Sequence, residues 1–374
     1  MAQFVVCTNV VSSAKCKIMT NAVTGGTTLK RIIIILVLLS FSFGGCRGKT
    51  SNELFAEGLK ELQKGNSSGA IITFRSALEK DPNRIDVRHE LAKVYVKTAK
   101  YELAEKEFQK VQRLNPSMPE IPLELAKLYN LMSKPDLAIT QAEKYLTANP
   151  GSADALETLG VAYAARNKPV EAEEYFVRAL VQETDRSGTK LELAALYMKN
   201  NNKLKATQLL NEVIKRDPNG TRAYYMLAEL EVNQGRKDKA LELYRKIITN
   251  NKNEHEAQYK AALLLLDNGD IAAAGRIAEE LIARFPRRAD GYTVKGIVRF
   301  RQNNFPEASA ALQNSIKIMP SAVGYYYQGL TLYNQGELEN ALSQFRQILD
   351  RTPSLHQARI MVSQILLRQH RFDD

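Results

Sequence analysis

The chain has 374 residues, 44% of them apolar, and a formal charge of +11. That apolar share excludes bulk disorder. The surplus cations are interspersed with acids and form no basic block, so they read as a solvated helical surface and argue against nucleic acid as a partner. Cys7, Cys16 and Cys46 are the three cysteines. Beyond residue 46 the chain therefore has no disulfide and no thiolate metal ligand.

Residues 1–45 carry Lys15, Lys17, Lys30 and Arg31 and no acid. Lys30-Arg31 is followed by the apolar run Ile32-Ile33-Ile34-Ile35-Leu36-Val37-Leu38-Leu39 and then by Ser40-Phe41-Ser42-Phe43-Gly44-Gly45-Cys46. A charged start, an apolar core and a small-residue exit are the layout of a secretory signal peptide. Ile32 to Gly45 is 14 residues, short of the roughly 20 that a membrane-spanning helix needs. The stretch before Lys30 is long for such a signal, and Met19 offers an alternative start. Phe43-Gly44-Gly45-Cys46 resembles a bacterial lipobox, with Phe43 in place of the usual leucine. The resemblance implies lipid attachment at Cys46, and membrane anchoring then rests on several acyl chains. Arg47 stands where aspartate marks retention at the inner membrane, which leans the expected location to the outer membrane, with the mature chain facing the periplasm. Residues 46–50 read as the lipidated cysteine and a short tether.

From residue 51 onward alanine keeps a fixed interval. Ala70, Ala104, Ala138, Ala172, Ala206, Ala240, Ala274 and Ala308 are 34 residues apart, and Ala341 follows after 33. This period fits one helix–turn–helix per repeat. With the alanine as position 20, position 8 is small throughout: Gly58, Ala92, Ala126, Gly160, Ala194, Ala228, Ala262, Gly296, Gly329 and Ser363. Position 24 is mostly large, as in Phe74, Phe108, Phe176, Leu210, Tyr244, Leu312 and Phe345. Small residues at 8 and 20 predict two antiparallel helices in close contact, with those positions facing each other, since a larger side chain would overpack, and position 24 is expected to fill the space beside that contact and reach the next repeat. Where position 24 shrinks to Ala142, Tyr145 three residues on is expected to restore the volume. Gly65, Gly235, Gly269 and Gly336 at position 15 predict a left-handed end to the first helix. Pro135 and Pro169 open second helices. Proline at position 32 stops them, with Thr184 and Lys252 as exceptions.

Small-8, small-20, large-24 and Pro-32 over 34 residues resemble the tetratricopeptide repeat (TPR). The resemblance implies an all-α fold, a right-handed superhelical solenoid, with nine repeats over residues 51–355. Residues 356–374 are then a partial tenth repeat or a capping helix. A lipobox followed by a long repeat array is also similar to the TPR lipoproteins that accompany PEP-CTERM protein sorting and exopolysaccharide export.

Catalytic chemistry is not legible. His89, His255, His356 and His370 are scattered without zinc spacing. No phosphate loop, nucleophile elbow or paired-carboxylate motif is present, and no cofactor or metal is expected. The sequence therefore reads as a non-enzymatic scaffold. In the family, positions 2, 5, 6, 9, 12 and 13 line a concave groove. No repeat has the Lys at position 5 that a clamp for a C-terminal carboxylate requires. The groove instead becomes aromatic toward the C-terminus, where Tyr225, Tyr259, Phe300, Tyr326 and Tyr333 fall at positions 5 or 12. Flat, amphipathic rings suit proteins or extended peptides, and polysaccharide as a second class. Three functions follow as expectations. The first is a lipid-anchored scaffold for an envelope export and sorting machine. The second is a lipoprotein for outer-membrane protein or pilus assembly. The third is the non-catalytic part of a longer enzyme.

Overall fold

The computed structural model describes residues 48–371, so the signal segment and Cys46 lie outside the described residues. Among the described residues there are 19 helices and no strand. The described residues divide into two compact units, one ending at Thr98 and the other beginning at Ala99.

The N-terminal unit holds α1 (Ser51–Gln63), α2 (Ser67–Lys80) and α3 (Ile85–Lys97). Thr50 opens α1 with a capping box, its side chain accepting from the Glu53 N–H while the Glu53 carboxylate accepts from the Thr50 N–H. Such reciprocal caps satisfy two otherwise orphaned donors. α2 packs on α1, and α3 on α2. The Phe74 ring lies over Gly58 and meets Phe55 at 5.8 Å.

The C-terminal unit opens with α4 (Tyr101–Leu114), the second helix of repeat 2. First and second helices then alternate as α5 (Glu120–Leu131) and α6 (Pro135–Ala148), α7 (Ala153–Ala165) and α8 (Pro169–Gln182), and α9 (Ser187–Lys199) and α10 (Lys203–Arg216). They continue as α11 (Thr221–Val232) and α12 (Lys237–Asn250), α13 (His255–Asp267) and α14 (Ile271–Arg284), and α15 (Ala289–Arg301) and α16 (Phe305–Ile318). The last are α17 (Ala322–Asn334), α18 (Leu338–Arg351) and α19 (His356–Arg368). Within this unit α4 packs on α5, and from α6 on each second helix packs on the first helix of its own repeat and of the next. First helices also touch their successors: α5 on α7, α7 on α9, α9 on α11, α13 on α15 and α15 on α17. This is the stacking of a helical solenoid, stabilised between nearest neighbours. The first helices form its inner row.

Every position-20 alanine is fully buried. At the glycines of position 8, the space beside the contact is filled by the side chain at position 24. A Cβ added to Gly160 would stand 2.6 Å from the Phe176 ring, and one added to Gly329 would stand 2.7 Å from the Phe345 ring. Gly296 meets Leu312 in the same way. Where glycine stands at 8, the side chain at 24 thus fills the space its missing Cβ leaves. The expected compensation in repeat 3 is incomplete. Ala142 is buried, but Tyr145 stays partly exposed, unlike the enclosed Ala179, Val213 and Ile247 at the same position.

Position 15 is left-handed in all ten repeats, not only at the four glycines. Ala99, Ser133, Asn167, Asn201, Asn303 and His370 share this backbone, with φ from 54° to 59°. The turn closes by a bond from the N–H at position 16 to the carbonyl at position 11, as from Asn202 to Tyr197 at 2.7 Å. That is a Schellman ending, and it imposes the left-handed residue whatever the side chain. Asn66, Asn202, Asp270 and Asn304 at position 16 then cap the second helix.

Second helices end at position 30 with or without the later proline. Glu183 (φ −139°, ψ 93°) and Asn251 (φ −144°, ψ 103°) are extended although Thr184 and Lys252 follow them. The residues that precede proline elsewhere, Asp81 (φ −142°, ψ 94°) and Asp217 (φ −124°, ψ 85°), have nearly the same backbone, and neither Thr184 nor Lys252 donates a backbone hydrogen bond. Thr184→Pro and Lys252→Pro are each expected to stabilise the protein by about 0.4–1 kcal/mol, because they remove unfolded-state freedom without native strain. Urea unfolding of the two variants measures the effect.

Candidate functional site: the inner row of the C-terminal unit

The inner row has two chemically different halves. In repeats 3 to 6 it is charged and already paired. Lys127 on α5 reaches Asp154 on α7 at 2.8 Å. Arg186 joins Asp154 at 2.6 Å and Glu157 at 2.9 Å, and Thr189 Oγ1 donates to the same Glu157 carboxylate. Arg222 on α11 pairs with Glu192 on α9 at 2.6 Å. Hydrogen bonding from Lys127, with further bonds from Arg186, holds the Asp154 carboxyl below its usual range. These pairs tie one first helix to the next and leave few free charges for a partner. Partly exposed pairs of this kind stabilise by no more than about 1 kcal/mol each, so their main effect here is to neutralise the surface.

From repeat 6 onward the row is aromatic. Tyr225 on α11, Tyr259 on α13, Phe300 on α15, and Tyr326 and Tyr333 on α17 all lie on first helices and are all partly exposed. Tyr225 sits 6.1 Å from Tyr244, and its hydroxyl donates to Glu254 at 3.4 Å. Tyr326 sits 5.8 Å from Phe345 in an edge-on arrangement. A position-5 ring thus rests on the position-24 ring of its own repeat, as Phe55 does on Phe74. Repeat 7 has Ala278 at position 24, and Tyr259 packs against the core shared by repeats 6 to 8. Burial pushes the Tyr259 hydroxyl up to about 12 and raises those of Tyr225 and Tyr326 as well. All three stay neutral near pH 7 and act as amphipathic rings, not as acids.

Tyr327, at inward position 6, joins the other rings and was not among the residues singled out from the sequence. It meets Phe300 at 5.7 Å and Tyr326 at 5.8 Å, both edge-on. Phe300 also meets Phe305 at 5.9 Å. A run Phe305–Phe300–Tyr327–Tyr326–Phe345 therefore crosses repeats 8 and 9. Tyr333 lies under the Arg368 guanidinium, 5.5 Å from its ring centre. Tyr225 and Tyr259 stand apart from this run, because position 5 of repeat 8 is the buried Thr293, bonded to Ser315 at 2.6 Å. Ile360 and Leu367, at positions 5 and 12 of α19, extend the apolar row and are 56% and 59% exposed. Rings that pack on each other along one edge and meet solvent along the other are fixed in place before a ligand arrives, which lowers the entropy cost of binding. Among the described residues no group of His, Cys, Asp or Glu could hold a metal ion. No helix among them is long and apolar enough to cross a membrane.

A stack of helix pairs with a preorganised aromatic inner face defines a repeat scaffold for binding other chains. The chain belongs to the tetratricopeptide repeat family: models of that family match residues 85–118, 123–187, 191–255, 259–322 and 326–374. No curated protein matches the chain. Among solved structures, it is similar to a tetratricopeptide repeat protein from Parabacteroides merdae, with 17% identity over 66% of this chain and 98% of that one, TM-score 0.48. It is similar to yeast Tom70, with 13% identity over 86% and 89% and TM-score 0.48. It is also similar to PilF of Pseudomonas aeruginosa, with 22% identity over 56% and 95% and TM-score 0.44.

Proposed function

We propose that this protein is a lipid-anchored scaffold of the bacterial envelope that holds protein partners on the aromatic inner face of its C-terminal unit. One observation carries the binding half of this reading: the partly exposed ring surface of Tyr259, Phe300, Tyr326, Tyr327 and Tyr333, set beside a charged half that is already self-paired. Aromatic anchors in a preformed hollow are the side chains that dominate interface energies. The anchoring half rests on Phe43-Gly44-Gly45-Cys46 following an apolar run. Lipid on Cys46 would hold the repeats at the periplasmic side of the outer membrane. Within that setting, exopolysaccharide export and PEP-CTERM protein sorting is the role we assign, from the lipobox-plus-repeats layout.

Affinity capture from envelopes tests both halves. In Tyr259→Ala/Phe300→Ala/Tyr326→Ala, each lost ring is expected to weaken partner binding by about 1 kcal/mol or more. The triple variant should therefore lose the partner proteins while its helical circular dichroism stays that of the parent. Cys46→Ser should abolish incorporation of a palmitate analogue and release the protein from the membrane fraction. Unchanged capture by the triple variant removes the inner face from the account. Unchanged lipid labelling of Cys46→Ser removes the anchor.

A further inference from the structure

A second concavity lies on the opposite, outer side of repeats 8 and 9. It is a cleft of about 450 Å³ between α16 and α18, floored by α17. That volume is within the ~300–1,000 Å³ of small-ligand sites. Gln313 comes from α16, Gln328 from α17, and Asn340, Ser343, Gln344 and Gln347 from α18. The residue types depart from those of repeats 4 and 6. At positions 19, 22 and 26, α8 bears Glu171, Glu174 and Arg178, and α12 bears Lys239, Glu242 and Lys246. On α18 the same positions are Asn340, Ser343 and Gln347, all neutral.

The floor departs further. Position 7 is a buried leucine in five earlier repeats, Leu91, Leu125, Leu159, Leu193 and Leu227. In repeat 9 it is Gln328, only 3% exposed. Its Nε2 donates to Ser309 Oγ at 2.9 Å, and Gln313 Nε2 reaches the same Oγ at 3.3 Å. Gln328 Oε1 has no hydrogen-bond partner. A buried amide left half-satisfied is costly where the repeat would accept leucine, so this polar floor is not what packing alone selects.

We propose that this cleft binds an uncharged, hydroxyl-rich ligand, a short stretch of neutral oligosaccharide. Each amide offers a donor and an acceptor side by side, which matches adjacent sugar hydroxyls that both give and take hydrogen bonds. The groups converge from three helices on one hollow, as the rim of a pyranose ring requires, whereas an extended peptide would call for a linear ladder. Two charged residues, Lys317 and Glu337, also line the cleft, and the Glu337 carboxylate accepts from Asn340 Nδ2 at 2.8 Å.

Isothermal titration of the full chain with maltotriose, cellotriose, laminaritriose and chitotriose tests the site. At least one is expected to bind saturably. Gln344→Ala/Gln347→Ala, which removes two amides from the wall, should weaken that binding at least tenfold. Gln328→Leu should weaken it similarly while melting at or above the parent temperature, since it restores the side chain found in other repeats. Tyr259→Ala/Phe300→Ala/Tyr326→Ala should leave it unchanged, which keeps this cleft distinct from the inner face. Absence of binding by all four sugars, binding indifferent to the wall amides, or equal amide-dependent binding of hexaglycine would overturn the proposal.

Discussion

Phe176→Ala is expected to destabilise repeat 4 by about 3–5 kcal/mol, the cost of removing a buried phenyl ring and leaving its cavity behind. Phe176 is 1% exposed and lies against Gly160 on α7. It also belongs to a core that includes Leu191, Ala194 and Tyr197 of the following repeat. The loss should therefore spread to the neighbour and then fade, because stability in a stacked array is a sum of local and nearest-neighbour contributions. Native-state hydrogen exchange reads this directly. Amides of α7 and α8 should lose most of their protection, those of α9 some, and those of α17 and α18 almost none. Uniform loss across the C-terminal unit would mean that it behaves as one cooperative core.

Gly160→Leu should be destabilising by about 2–3 kcal/mol for the opposite reason, overpacking. The site already lacks room for one methyl group, since the Phe176 ring atoms nearest an added Cβ include the fixed root of the ring. The helical gain of replacing glycine, up to about 1 kcal/mol, does not offset that. The two substitutions are expected to be coupled. Combined, leucine at 160 occupies part of the space vacated by the ring, and the double variant should be at least about 1 kcal/mol more stable than the sum of the two single losses predicts. Repeat 5 shows a compatible intermediate, with Ala194 at position 8 and Leu210 at position 24, both fully buried. Urea unfolding of the four proteins closes the cycle. Strict additivity would show that positions 8 and 24 do not share one volume.

The helices and their order could be read from the chain because two kinds of signal repeat in phase. Small residues at 8 and 20 mark where helices approach, and turn residues at 15 and 16 mark where the chain reverses. What escaped the sequence is whatever tertiary geometry imposes without a side-chain preference. Ala99 and Ser133 adopt the left-handed conformation, although neither residue favours it, because the turn between the two helices admits no other. Thr184 and Lys252 follow helices that stop on schedule without proline. Position 24 could be expected to fill the space beside the close contact, but how tightly its side chain sits on the glycine at 8 needs the placed ring. At the site, the rings at positions 5 and 12 were legible one by one. Their packing was not, because it depends on position-24 rings and on Tyr327, which lie on other helices or on a neighbouring inward position. The pairing of Lys127, Asp154, Glu157 and Arg186 joins residues up to 32 apart and became visible only once first helices stood side by side.

Site-specific photocrosslinking in intact envelopes tests the central claim most directly. A benzophenone amino acid at Tyr259 or Tyr333, on the inner row, should give discrete protein adducts. The same probe at Val177 or Leu204, exposed on the second helices at 44% and 70%, should give none. Adducts of equal yield from both faces, or from the outer one alone, would contradict an account in which the aromatic row of first helices receives the partner.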